Sequence, residues 1–199
     1  MSARHGVDLY WLPLGAGGNS VRLNGRVFEW VIARHQHRKP LALYHSALEV
    51  HLPESRYVIE QAPIPDRSGA ARGVVAEGPV GFRWARHLRL FRYEVRCWRD
   101  GVIPDIGEAV DSPRRLTDDL EVARRLLALT AALPTPVWGR DELGTGEMWN
   151  SNSITAWLVA SSGIDAAAIV PPICGRAPGW AAGVTVARRA PPIDGVDPR

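Results

Sequence analysis

Residues 91–97 (FRYEVRC) alternate apolar and polar side chains, and this pattern constrains the fold more than any other in the chain. Side chains two residues apart lie on the same face of a strand, so the segment predicts a strand with one buried face. Residues 43–52 (LYHSALEVHL) predict a second strand, and residues 57–62 predict its return after a turn at 53–55. The sequence therefore predicts an antiparallel sheet.

Helical periodicity follows these strands. Residues 118–133 give the strongest helix, with Leu120, Ala123 and Leu126 on one side. Residues 151–161 give a second helix that ends near Gly163. The remaining predicted elements are strands at 7–14, 74–77, 168–170 and 183–187, a helix at 21–35, and an irregular segment at 103–113. This order predicts an α+β fold.

The length of 199 residues suits one domain, which we expect to cover residues 1–187. The proline-rich residues 188–199 are expected to form a disordered tail. The formal net charge is only +3, and no block of five like charges occurs, which argues against a nucleic-acid partner.

The sequence lacks the signals of membrane-spanning, secreted, disulfide-rich and dinucleotide-binding proteins. No run of eighteen apolar residues occurs, so no membrane span is predicted, and no signal-peptide pattern is visible at residues 1–14. A cytoplasmic location is therefore expected. The two cysteines, Cys97 and Cys174, do not make a disulfide framework. The glycine-rich residues 15–20 lack the full dinucleotide fingerprint, so no cofactor is predicted.

His45 on a strand and Ser151 at a helix start are the residues most suggestive of chemistry. A nucleophile in the first turn of a helix is near the positive end of the helix dipole and near free backbone N–H groups. These donors can stabilise an oxyanion, and a histidine on a neighbouring strand can act as the base.

Two patches carry a resemblance to a known family. YHSALEV with the return strand VIE is similar to the YHTGVEVYG strand of the permuted papain-like peptidases of the PPPDE type. GEMWNSNSITAWLVASSGI is similar to their YDLLTNNCNHFSDALLRFLTGKGI segment. Lecithin–retinol acyltransferase-like and NlpC-like proteins share related patterns. The resemblance implies a permuted papain-like fold, in which an antiparallel sheet packs against helices.

The resemblance also implies a hydrolase or acyltransferase that acts on amide, ester or thioester bonds. His45 matches the family histidine, and Ser151 stands where the family has its cysteine nucleophile. Asn150 and Asn152 match the flanking asparagines, and the backbone N–H groups near Ser151 and Asn152 would form the oxyanion hole. Glu60 is the candidate that would orient His45, with Glu49 and His51 as alternatives.

Three interpretations of Ser151 stay open at this point. It is a nucleophile with His45 as its base, a relic in a silent domain that binds a ligand in the old groove, or a helix N-cap. A serine hydroxyl is far less acidic than a thiol, so a histidine alone activates it poorly. Whether the chain is an enzyme is thus undecided, and a catalytically inactive binding module is the alternative.

A groove rim is predicted in the loop 136–147. Trp138 and Arg140 of this loop, with Trp149, Asn150 and Asn152 behind it, are the candidate binding residues for a peptide, amide or acyl ligand. The arginine-dense segment 83–96 fits either an exposed sheet face or a ligand with carboxylate or phosphate groups. His45, Glu49 and His51 share one strand face and could ligate a metal, but we interpret this face as a solvated polar face without one, because no second ligand cluster with short spacing occurs.

Overall fold

The chain forms a seven-stranded sheet with three α-helices in the part that the computed structural model describes, which is residues 5–14, 41–63, 73–87 and 91–189. The strands are β1 Gly6–Pro13, β2 Ala42–Leu52, β3 Ser55–Pro63, β4 Val74–Pro79, β5 Arg92–Arg99, β6 Val110–Thr117 and β7 Gly175–Arg176. The helices are α1 Leu120–Leu129, α2 Ser151–Ser161 and α3 Trp180–Arg189. The α+β class predicted from the sequence is confirmed.

The main path of the sheet has the strand order β4-β5-β3-β2-β1-β6, and its neighbours are antiparallel. The two-residue strand β7 pairs with β2 in parallel. Strands β2 and β3 form the hairpin that the sequence predicts. Strand β2 pairs with β1 and β3 and is also contacted by β7 and by Asn152, so early and late segments of the chain meet on it.

The residues of β1 and β2 divide alternately between the two faces of the sheet. Val7, Leu9 and Trp11 of β1 and Leu48 and Val50 of β2 point to one side, where they share a core with the three helices. We call this side the helix-covered face. Helices pack here because each offers an apolar stripe that must be buried against another layer.

The opposite side of the sheet, which we call the outer face, has a second and smaller apolar cluster. It contains Tyr10, Leu12, Ala47 and Val58, together with Ile103 from the loop that connects β5 to β6. This connection covers part of the outer face. The sheet therefore buries side chains on both faces, and a polar residue at an alternate position can be as buried as an apolar one.

Helix α2 begins with a capping box and ends as the sequence predicts. Asn150 Oδ1 accepts the N–H groups of Asn152 and Ser153, and Ser153 Oγ accepts the Asn150 N–H. Gly163 follows the helix with a φ of +99°, as a C′ glycine does. Helix α3 packs closely on α2 because Gly183 has no Cβ to collide with the Ser153 carbonyl oxygen.

Three local predictions are wrong. The valines and threonine of residues 183–187 predict a strand, but these residues belong to α3, because packing on α2 overrides a weak local propensity. Residues 168–170 are predicted as a strand, yet the described chain has the 3₁₀ turn Ala166–Ala168 there. The predicted irregular segment contains the start of β6, an edge strand that tolerates Pro113.

Two further predictions concern residues at or beyond the described ranges. The helix predicted at 21–35 lies outside the described residues. Arg188 and Arg189, the first residues of the predicted tail, are the last residues of α3, and residues 190–199 lie outside the described part.

Candidate functional site

His45 lies on the outer face of the sheet. Its neighbour Ser46 points to the helix-covered face, whereas His45 pairs across the ladder with Leu12, which belongs to the outer cluster. Burial lowers the pKa of His45 to about 4, and the carboxylate of Asp105 opposes this shift only in part. His45 is therefore an uncharged imidazole at neutral pH, on the side of the sheet away from the helices.

Ser151 is the first residue of α2, which packs on the other side of the sheet, and the N–H groups of the two residues after it are already used. The Asn150 side chain accepts the Asn152 N–H at 2.9 Å and the Ser153 N–H at 3.3 Å. Asn150 Nδ2 donates to the carbonyl oxygen of Pro178 at 2.8 Å. An oxyanion hole that relies on the Asn152 N–H would have to displace this cap.

Asn152 joins α2 to β2. Its Nδ2 donates to the Tyr44 carbonyl oxygen at 2.9 Å and to the Pro178 carbonyl oxygen at 3.0 Å. Its Oδ1 accepts the Ser46 hydroxyl at 2.9 Å. The side chain is 2% exposed, so this asparagine holds the helix on the strand and does not face a ligand.

His45 and Ser151 start from different faces of the sheet, His45 from the outer face and Ser151 from the helix that packs on the helix-covered face. The late helix does pack on the strand that carries His45, as the resemblance implied, but Ser46 makes the polar contact with that helix. Within the described part of the chain, no hydrogen bond joins His45 to Ser151. The physical reason is the two-residue period of a strand, which sends neighbouring side chains to opposite faces.

Glu60 is engaged elsewhere. It pairs across the ladder with Arg96, and its carboxylate oxygen lies 3.7 Å from Arg96 Nη1. Arg96 is itself 5% exposed and also contacts Glu94. A relay from Ser151 through His45 to Glu60 is therefore not formed in this structure.

The candidate binding residues divide into buried and exposed groups. Trp149 is 2% exposed and belongs to the main core. Trp138 is 41% exposed, and its backbone makes single β-bridges with Val80 on one side and Trp149 on the other. The Arg140 guanidinium lies 4.5 Å above the ring of Phe82, a cation–π arrangement. The predicted rim loop thus reaches the segment after β4.

A cleft of about 890 Å³ opens next to this loop. Two ion pairs cross its lining: Arg83 Nε lies 2.8 Å from Glu142 Oε1, and Arg92 Nη1 lies 2.8 Å from Glu77 Oε2. The lining residues are Glu77, Gly78, Pro79, Arg83, Trp84, His87, Arg92, Thr135 and Glu142. The cleft lining therefore contains as many arginines as glutamates, so it does not carry charge of only one sign.

Exposed aromatic rings stand at the border of the cleft. Trp84 is 69% exposed, and its ring centroid lies 6.1 Å from that of Phe82 in a stacked arrangement. Neighbouring apolar side chains that form an exposed patch commonly mark a binding surface. Trp84 and Phe82 are not among the residues predicted from the sequence, although the segment GPVGFRW places aromatic residues beside an arginine after glycine and proline.

No family model, no curated protein and no solved structure matches the chain. None of the helices in the described ranges has the length and apolar character needed to cross a membrane.

Proposed function

We propose that this chain is a binding module of papain-like ancestry that recognises a peptide segment and does not use the Ser151/His45 pair for catalysis. The observation that carries the proposal is the separation of the two residues by the sheet, together with a cleft lined by paired arginines and glutamates. The alternative, a Ser/His hydrolase or acyltransferase, requires the two side chains to meet.

The papain-like ancestry is supported by the order of elements. An early strand with the YHSALEV motif is followed by a return strand, and a late helix that starts at Ser151 packs on that early strand. Asn152 makes this contact with two bonds to β2, at Tyr44 and Ser46. The resemblance to the family is therefore consistent with the packing, although the histidine points away from the helix.

The chemistry of the cleft favours a peptide. A peptide backbone presents alternating N–H donors and carbonyl acceptors. Glu77 and Glu142 can accept hydrogen bonds from its N–H groups, and Arg83 and Arg92 can donate hydrogen bonds to its carbonyl oxygens. The guanidinium is a planar fork that also fits a terminal carboxylate. Trp84 and Phe82 supply apolar platforms for a side chain of the bound segment.

The binding proposal is tested by affinity selection from a library of N-acetylated tetrapeptides with free or amidated C-termini, read by mass spectrometry. The wild-type chain should enrich a subset of peptides, and Trp84→Ala and Arg92→Ala should lose that enrichment. Ile173→Ala is the matched control, since Ile173 is 90% exposed and does not line the cleft. Enrichment that is unchanged in Trp84→Ala and Arg92→Ala would contradict the proposal.

The competing catalytic function has its own readout. A fluorophosphonate probe should leave the wild-type chain unlabelled, because His45 lies on the outer face of the sheet and makes no hydrogen bond to the Ser151 hydroxyl within the described residues. Labelling that is present in the wild type and absent in Ser151→Ala would establish the hydrolase alternative instead.

A further inference from the structure

Three side chains on the outer face bring nitrogen and oxygen atoms to one point. Asp8 of β1 and Glu49 of β2 are direct cross-strand partners, and His51 lies two residues after Glu49 on the same face. One carboxylate oxygen of each acid and a ring nitrogen of His51 all lie within 4.8 Å of one another. This cluster is distinct from the cleft and from Ser151.

The spacing of these atoms suits a metal ion. His51 Nε2 lies 3.1 Å from Asp8 Oδ2 and 3.6 Å from Glu49 Oε2. Zinc binds nitrogen and oxygen ligands at about 2.0–2.2 Å, and two such ligands of a tetrahedron are about 3.4 Å apart. The observed separations lie on either side of this value, so a cation can be placed between the three atoms with small side-chain movements.

Two arginines hold the second oxygen atom of each carboxylate. Arg115 Nε lies 3.0 Å from Asp8 Oδ1, and Arg56 Nη1 lies 2.5 Å from Glu49 Oε1. These contacts fix the oxygens that face away from His51, leaving Asp8 Oδ2 and Glu49 Oε2 turned toward the imidazole. Partners that orient ligands in this way are a regular part of protein metal sites.

Tyr10 supports Glu49 from the same face of the sheet. Its hydroxyl donates to Glu49 Oε2 at 2.9 Å. Glu49 is 5% exposed, and this buried carboxylate is thereby kept in one orientation.

The imidazole itself is incompletely satisfied. His51 Nε2 is buried, and within the described residues no hydrogen bond is made to it, although Asp8 and Glu49 are close. The cross-strand partner of His51 is Gly6, and a Cβ there would collide with Arg115. Glycine at this position leaves the space in which Arg115 reaches Asp8. The His51 side chain as a whole keeps 19% exposure, through atoms other than Nε2.

We propose that Asp8, Glu49 and His51 bind a divalent transition-metal cation of the Zn²⁺ type, independently of the peptide cleft. Two carboxylates and one imidazole are a borderline ligand set, which suits Zn²⁺ better than Mg²⁺. Three protein ligands leave a fourth position for water. The two carboxylates supply the negative charge, and Arg56 and Arg115 moderate it.

The test uses the full chain, freed of any histidine tag and stripped with a chelator. Zn²⁺ is added in equilibrium dialysis, and bound metal is measured by elemental analysis in a Cys174→Ser background, because Cys174 is exposed. We expect one equivalent of Zn²⁺ per chain. Loss of a residue that only orients a metal ligand weakens metal binding by about 10–100-fold. His51→Ala removes a ligand itself and should therefore weaken Zn²⁺ binding by more than this.

Two further variants keep the result interpretable. Asp8→Asn preserves the shape of the side chain and should also weaken binding, even if His51→Ala perturbs folding. His87→Ala removes an exposed imidazole in the cleft and should bind Zn²⁺ as the parent does. Absence of saturable Zn²⁺ binding in the parent, or equal binding in folded parent and Asp8→Asn, would overturn the proposal.

Discussion

The helix-covered face and the outer face of the sheet are built from alternate residues of the same strands, yet they are filled by different chemistry. On the helix-covered face, Val7, Leu9, Trp11, Leu48 and Val50 are each at most 1% exposed. On the outer face, Asp8 is 7% exposed and Glu49 is 5% exposed. Equal burial therefore does not mean equal polarity.

This difference has an energetic meaning. Apolar burial on the helix-covered face contributes roughly in proportion to area, at about 25 cal/mol per Å². Buried carboxylates on the outer face must instead recover their desolvation cost through ion pairs and hydrogen bonds. Arg56, Arg115 and Tyr10 provide these contacts. The helix-covered face should therefore determine stability, and the outer face should make stability depend on pH and charge.

The largest effect is expected on the helix-covered face. Trp11→Ala removes a ring that packs 5.1 Å from the ring of Trp180. We expect a loss of about 3–5 kcal/mol in the free energy of unfolding, measured with urea. The control is Trp84→Ala, which removes an exposed tryptophan and should change that free energy by about 0.5 kcal/mol or less. Similar losses in both variants would refute the distinction between these sites.

A pH-dependent effect is expected on the outer face. Burial lowers the pKa of His45 to about 4 in the folded chain, below the value of 6.5 for an unperturbed histidine. The unfolded state therefore gains a proton first as the pH falls. Stability should be lost between pH 6.5 and 4, by about 3 kcal/mol in total for this residue.

Urea unfolding at several pH values checks this expectation. His45→Gln should show a flatter decline over the window from pH 6.5 to 4. His87→Gln, at an exposed site of the cleft, should keep the decline of the parent. A parent and a His45→Gln variant with the same pH dependence would show that His45 is not buried as described.

A smaller effect is expected from the charge of Glu49. Glu49→Gln keeps the shape of the side chain and an acceptor for Tyr10, but leaves Arg56 without its carboxylate partner. We expect a loss of about 1–3 kcal/mol in the free energy of unfolding, measured in the presence of chelator. Glu77→Gln, which affects a more exposed pair with Arg92, should cost at most about 1 kcal/mol.

The smallest effect concerns the helix that rests on the helix-covered face. Asn150→Ala removes the side-chain oxygen that caps α2 and should cost about 1 kcal/mol, measured by thermal or urea unfolding. Asn150→Ser retains a capping oxygen and should lose less. A cost above that of Trp11→Ala would mean that the cap, rather than the apolar core, controls this face.

The alternating segments and the strongest helix are predictable because their periodicity reflects which side of an element is buried. The strand at 43–52 is β2, and the helix at 151–161 is α2. The helical state of residues 183–187 is not predictable, because their β-branched residues favour a strand until α2 provides a packing partner. The site residues Trp138 and Arg140 are predicted at the rim, whereas Trp84 and Arg92 join them only through the fold.

Local sequence is enough to assign the residues of each strand to a shared face, since side-chain direction alternates with a period of two. It places His45, Glu49 and His51 on one face of β2. The packing of the layers was needed to establish that this face is opposite α2, so that Ser46 and not His45 contacts the helix. The fold also brings Asp8 and Arg115 from neighbouring strands to complete a buried polar cluster. Periodicity fixes faces within one strand, whereas pairing and layering fix what each face meets.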